Sequence, residues 1–216
     1  MSFFITFEGT EGSGKTTQIE ELGRCLSELG HQVVLTREPG GCSIADAIRS
    51  ILLDSGNSAM TPRAELLLYA AARAQHVAEI IVPALKQGKT VLCDRFTDAT
   101  IAYQGFGRGL CLDLIASLND MATQGLQPQL TLLLDLPVET GIERALTRIA
   151  VQSGPKEDRF ERERLEFHRK VQSGYRRLAK QEPSRFRIID AARPREQVAR
   201  SVAEEVRNFL STQNGL

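Results

Sequence analysis

Apolar residues along this chain fall into two alternating rhythms. Compact apolar runs of strand length occur at residues 3–7, 32–36, 89–94, 130–135 and 185–190. Between them, apolar residues recur at helical spacing. Ile19, Leu22, Cys25, Leu26 and Leu29 mark a helix over 16–29 that stops at Gly30. Further helices are predicted over 43–54, 61–87, 97–102, 110–123, 158–181 and 195–210, with another opened by Pro137. Residues 37–41, 55–58 and 151–157 read as loops, and Gly105, Gly107 and Gly109 interrupt the helix that starts at Thr97. The segment 61–87 has Pro62 at its first position, a kink expected near Pro83 and a stop at Gly88.

Strand–helix alternation implies parallel pairing through right-handed crossovers. The expected fold is an open α/β sheet of about five parallel strands, apolar on both faces and covered by helices on both sides. Ligands bind such sheets at the carboxyl ends of the strands. Glu8, Arg37-Glu38, Asp94-Arg95 and Asp135 all fall there. The helix 62–87 is apolar nearly all round, with Leu66, Leu67, Leu68, Ala70, Ala71, Val77, Ala78, Ile80 and Ile81. Such a helix is buried on more than one side, which predicts a homodimer through it.

Composition narrows the function classes. The 216 residues are 42% apolar and 25% charged, a globular balance read here as a single domain over 1–216. Lys plus Arg and Asp plus Glu are both 27, so the net charge is zero. That argues against a general nucleic-acid or membrane-surface binder, which needs a basic excess. Cys25, Cys42, Cys93 and Cys111 are far apart and form no C-x-x-C. With no leader pattern and no apolar run near ~18 residues, a reducing cytoplasm is the expected compartment.

The chemistry begins at the first strand. Gly9-Thr10-Glu11-Gly12-Ser13-Gly14-Lys15-Thr16 fits G-x-x-x-x-G-K-[ST] and sits between a strand and a helix, as a P-loop must. Residues 10–17, from Thr10 to Thr17, are expected to cradle nucleotide phosphates. Lys15 would reach the β/γ-phosphates and the Thr16 hydroxyl would ligate Mg²⁺. Asp94 ends a strand and qualifies as the acid opposite Thr16. Arg95 beside it can clamp a phosphate in bidentate fashion. Glu8 either lies at the same metal and orients the acceptor or merely satisfies loop amides. No Asn-Lys-x-Asp or Asp-x-x-Gly of a GTPase switch occurs. Phosphoryl transfer to a small acceptor is the expected reaction. A kinase for another monophosphate or a deoxynucleoside, and a P-loop switch without an acceptor, are the alternatives.

The sequence resembles the bacterial thymidylate kinases over nearly its whole length. The resemblance rests on the P-loop, Thr36-Arg37-Glu38-Pro39-Gly40-Gly41, Tyr69-Ala70-Ala71-Ala72-Arg73, Asp94-Arg95-Phe96 and Ala102-Tyr103-Gln104-Gly105. It implies a P-loop three-layer α/β/α fold with a short lid at about 148–158, and transfer of the ATP γ-phosphate to dTMP. The residues fit that chemistry independently. Tyr69 and Arg73 are i and i+4, as are Thr100 and Gln104, so each pair shares a helix face. A ring can stack on a base, Arg73 can donate to a carbonyl, and Gln104 can meet a pyrimidine edge. Tyr103 can pack on the deoxyribose. Core packing is the plain alternative for Tyr69 and Tyr103. By resemblance, Arg95 and the loop that begins at Arg37 hold the acceptor phosphate, and Glu38 belongs to the dTMP site. The P-loop carries no Arg, so a lid base is expected to complete the charge balance. Arg148 ranks first and Arg159 second, with Lys156 and Arg162 as further candidates, against a solvated helix face as the plain alternative. Arg144 and Arg193 are placed at adenine by resemblance. His31, His76 and His168 carry no assigned role.

Overall fold

The computed structural model describes residues 2–151 and 158–213. Five strands form one parallel sheet: β1 (Phe4–Glu8), β2 (Val33–Arg37), β3 (Thr90–Asp94), β4 (Leu130–Asp135) and β5 (Phe186–Asp190), in the order β2-β3-β1-β4-β5. Helices α1 (Lys15–Glu28) and α9 (Arg195–Gln213) cover one face. The other face carries α3 (Pro62–His76), α4 (Val82–Lys86), α5 (Thr97–Thr100) and α8 (Leu165–Gln181). Helices α2 (Ser43–Leu53), α6 (Leu112–Thr123) and α7 (Val138–Val151) complete the set, with a short 3₁₀ turn at Ser55–Asn57.

The period of two in β1 sets both layers. Ile5 and Phe7 pack toward α1 and α9 with Leu22, Leu132 and Val202. Phe4 points the other way, toward Val77, Ile81, Val91 and Phe96. Thr6 and Glu8 share that second side by alternation. β1 lies between β3 and β4, where the strand order changes direction, so the crevice opens beyond its carboxyl end. Backbone bonds fix the neighbours there: Arg95 N–H donates to Phe7 O, and Glu38 N–H to Asp94 O, both at 2.9 Å.

Four expectations change. The three inner strands are buried, but β2 and β5 are edges, with Leu35 and Ile188 exposed. The irregularity expected near Pro83 falls earlier, as a π-helical turn at Val77–Ile81 that joins α3 to α4. That wider turn accommodates a residue with no N–H to give. The helix from Thr97 also continues past Gly105, as a π-helical stretch Ile101–Gly107. The glycine at 107 is there for close approach, since a Cβ would sit 2.6 Å from the Phe167 ring. Finally, α8 begins at Leu165 rather than at 158, because residues 159–163 turn inward and bury Arg159 and Phe160. Most of the expected lid, residues 152–157 with Lys156, lies outside the described residues.

Candidate active site

The P-loop leaves β1 at Gly9 and enters α1 through Gly14, whose φ of 87° is a left-handed helix cap. Gly12 lies against the backbone of Gly141, leaving no room for a side chain, so the first turn of α7 docks on the loop. Lys15 Nζ is buried and donates to Gly9 O, Thr10 O and Ser13 Oγ at 3.1, 3.0 and 3.3 Å. Burial, aided by the Arg95 charge, pushes its pKa down to about 8, against the pull of Asp94, Glu11 and Glu8. The Thr16 hydroxyl donates to Asp94 Oδ2 at 3.2 Å. The other oxygen, Asp94 Oδ1, is buried with no partner.

From this loop a cleft of about 710 Å³ runs across the ends of β2 and β3. Glu11, Gly14, Lys15, Thr16 and Thr17 line its first end. Arg37, Glu38, Arg73, Arg95, Thr100 and Gln104 line its far part with the rings of Tyr69 and Tyr103. Arg95 has φ 67°, unusual for a side-chain-bearing residue and costing about 1–2 kcal/mol. Its guanidinium is fixed by several contacts. Nη1 donates to Gly9 O at 2.9 Å and Tyr175 Oη at 3.1 Å, Nη2 reaches Glu11 Oε1 at 3.3 Å, and the group lies 4.8 Å from the Tyr103 ring centre. The Tyr103 hydroxyl donates to the same Glu11 oxygen at 2.6 Å. Burial disfavours the Glu11 charge, but His168, Arg95 and Tyr103 outweigh it and hold the carboxyl near 2. P-loop, Arg95 and Tyr103 are therefore one connected unit.

A second unit stands behind the far part. Arg73 is buried, with Nε on Glu38 Oε2 at 2.8 Å, Nη1 on Asn119 Oδ1 at 2.7 Å and Nη2 on Phe96 O at 3.0 Å. His76 Nδ1 lies 3.0 Å from Glu38 Oε1, and its Nε2 is 2.6 Å from Thr36 Oγ1. Gln104 Nε2 donates to Glu65 Oε1 at 2.8 Å. The Thr100 hydroxyl is buried without a partner on the same helical face. Burial and the nearby Glu65 charge raise the Tyr69 hydroxyl pKa above the usual phenol range.

The P-loop thus shares one cleft with fixed donors and aromatic rings. Comparison with known proteins agrees. The sequence profile of the family described as thymidylate kinase matches residues 7–202. The chain is 61% identical over 212 residues to a thymidylate kinase of Citrifermentans bemidjiense, covering 98% of this chain and 94% of the relative. It is 56% identical over 216 residues to that of Syntrophotalea carbinolica, covering both chains in full. A crystal structure of thymidylate kinase from Ehrlichia chaffeensis superposes with a TM-score of 0.74 at 36% identity, covering 97% of this chain and 98% of that one. The chain belongs to the thymidylate kinase family.

Not every residue expected at a thymidylate kinase site reaches the cleft. Glu8 is fully buried beneath it, with Oε1 accepting from Phe96 N–H at 2.7 Å and Oε2 from the Tyr175 hydroxyl at 2.6 Å. Burial, with the Asp98 charge, pushes its pKa up to about 8 despite the Tyr175 hydrogen bond. With both oxygens engaged and no exposure, Glu8 supports the floor of the site and is neither a metal ligand nor an acceptor contact. Arg159 is also withdrawn. Its Nε donates to Leu52 O, its Nη1 lies 2.7 Å from Glu65 Oε2, and the group sits 4.6 Å from the Phe160 ring centre. It is a buried clamp, not a lid base. Arg148 does line the cleft, exposed and 3.6 Å from Glu161 Oε1. Arg162 is exposed and pairs with the buried Asp158 at 2.9 Å. Arg144 donates to Ala191 O and Arg193 to Asp190 Oδ2, both at the end of β5 and outside the cleft lining.

Other contributors are not apparent from sequence spacing. Arg49 lines the cleft from α2 and donates to Pro39 O at 2.9 Å. Phe160 lines it from the turn before α8. Tyr175 shares a helix face with Phe167 and Val171, and that spacing signals burial but not the bridge from Arg95 to Glu8.

Proposed function

We infer that this chain transfers the γ-phosphoryl group of ATP to dTMP, giving dTDP and ADP. The observation that carries the reading is the continuity of one cleft from the P-loop to the Arg73–Gln104 end, in a chain of the thymidylate kinase family.

In this reading the P-loop amides and Lys15 hold the β- and γ-phosphates, with the α1 N-terminus adding partial positive charge. Thr16 and Asp94 would hold a Mg²⁺ brought by the nucleotide, and the unpartnered Asp94 Oδ1 leaves an acceptor free for its water shell. That ion supplies charge neutralisation on the phosphate oxygens. Arg37 and Arg95, with Arg49, hold the acceptor phosphate at the carboxyl end of the sheet. Tyr69 covers the base, Arg73 donates to a ring carbonyl, Thr100 and Gln104 meet its edge, and Tyr103 packs against the sugar. Arg148 stabilises the transferring group from the lid side. Arg144 and Arg193 flank adenine. The acceptor monophosphate is already an anion, so positioning and charge stabilisation suffice and no general base is required.

The reading includes a homodimer. Leu67, Ala71, Ala74 and Ala78 form an exposed apolar stripe on α3 and the turn after it, beside exposed Leu114 and Met121 of α6. It also includes the cytoplasm. All four cysteines are free, two of them exposed, which suits a reducing compartment. Among the described residues no helix is long and apolar enough to cross a membrane.

An acceptor panel tests the reaction. With ATP and Mg²⁺, dTMP is expected to release ADP at least about 10-fold faster than dCMP, dAMP, dGMP or thymidine. ATP hydrolysis at one slow rate with every acceptor, or with none, would overturn the reading.

A further inference from the structure

Gln104 is 1% exposed and lines the cleft, but its amide is not free to turn. Its Nε2 donates to Glu65 Oε1. Among the described residues nothing donates to its Oε1. A planar amide with its nitrogen on a carboxylate must direct its oxygen elsewhere, because the reverse orientation would set two acceptors against each other. Glu65 is itself 1% exposed and outside the cleft lining. It accepts from Arg108 Nε and Nη2 at 3.2 and 3.1 Å and faces Arg159 Nη1 at 2.7 Å. Burial opposes its charge, but Arg108, Gln104 and Arg159 hold its carboxyl below the usual range, so it stays an acceptor only. Arg108 is anchored in turn by Glu163 at 2.6 Å.

We propose that Glu65 is a positioning residue for acceptor selection: it locks the Gln104 amide so that Oε1 is offered to the base as a hydrogen-bond acceptor. This rests on the cleft being an acceptor-nucleotide site. A thymine or uracil edge carries an N3–H donor beside a carbonyl, which matches the Gln104 oxygen and the Arg73 guanidinium. A cytosine edge carries an N3 acceptor beside an amino group, which opposes both. The unpartnered Thr100 hydroxyl, one helical turn from Gln104, marks where a polar ligand edge completes the set. Without Glu65 the amide can rotate and present its NH₂, so the base filter weakens although no contact with substrate has been removed.

The test compares kcat/KM for dTMP, dUMP and dCMP in the native enzyme and in Glu65→Gln. The native preference for dTMP over dCMP is expected to be about 10–100-fold. Glu65→Gln should shrink it by about 10-fold through the dTMP KM, leave the dTMP-to-dUMP ratio unchanged, since both bases share N3–H, and leave the ATP KM unchanged. If all three acceptors weaken equally, Glu65 is structural only and the proposal fails while the dTMP reading stands. If the native enzyme shows no preference for dTMP, the underlying reading fails first. Should Glu65→Gln not fold, Glu65→Gln with Arg108→Gln removes one charge of each sign and carries the same comparison. In the native protein, the Gln104 side-chain amide protons, assigned by their loss in Gln104→Met, should exchange slowly with water in the dTMP complex. Fast exchange there would overturn the proposal without any variant.

Discussion

Lys15 has two sets of partners to choose between. Its ammonium now rests on two loop carbonyls and the Ser13 hydroxyl, buried enough that its pKa falls to about 8. Phosphate oxygens would favour the charged form and raise that pKa. Near pH 8.5 a good part of the free protein carries neutral Lys15, so ATP binding should take up a fraction of a proton, and affinity should fall as pH rises above about 8. Calorimetry in buffers of different ionisation heat reads this directly. A binding heat independent of buffer would contradict it. Glu8 titrates with the opposite sense. Its folded pKa of about 8 lies above the ordinary carboxyl value, so its contribution is full below that ordinary value and is lost as pH rises through 8. Glu8→Gln should flatten the fall in melting temperature between about pH 4.5 and 8 relative to the native chain; an unchanged slope would refute the assignment. The two lid candidates should also separate. Arg148→Ala should lower kcat by about 10²-fold with little change in stability. Arg159→Ala should cost about 2–3 kcal/mol of stability, less than a fully uncompensated buried charge because Arg108 still faces Glu65. Residue type alone did not distinguish these arginines. Both are Arg near a lid; what differs is that residues 159–160 fold inward beneath Tyr103, a tertiary event invisible to helical spacing.

At the scale of elements, strand ends were legible because composition marks them. An apolar run that stops at an acid or at Arg-Glu gives both a boundary and a site, and Asp94, Arg95, Arg37 and Glu38 all came together at the cleft. Helix continuity was harder to read. Pro83 and Gly105 are breakers by propensity, yet π-helical turns carry the chain through both regions. Such turns depend on packing, as where Gly107 lets the Phe167 ring approach. The long helix illustrates a partial reading of another kind. Its buried face packs on the sheet, while the apolar stripe from Leu67 to Ala78 is left bare, with Leu67 57% exposed. If that stripe is a subunit interface, Leu67→Glu should convert a sedimenting dimer to monomers at micromolar concentration. A native chain that already sediments as a monomer would contradict the dimer.

For the whole molecule, the parallel sheet follows from alternation and crossover handedness, its strand order is set only by packing, and the site lies where that order reverses beside β1. The P-loop motif located the phosphates. Spacing could not show the long-range network behind them, in which Tyr103 and Arg95 grip P-loop Glu11, Tyr175 joins Arg95 to Glu8, and Glu65 joins Gln104 to Arg159. These links cross tens of residues and are set only when helices dock. They tie the acceptor end to the nucleotide end, so two substrates held in one cleft should react by direct transfer. ATP labelled at the γ-phosphate, incubated with Mg²⁺ and dTMP, should deliver its label to the β-phosphate of dTDP, and Lys15→Ala should cut that transfer by at least about 10²–10³-fold. Label appearing as free inorganic phosphate at a rate indifferent to dTMP would contradict direct transfer.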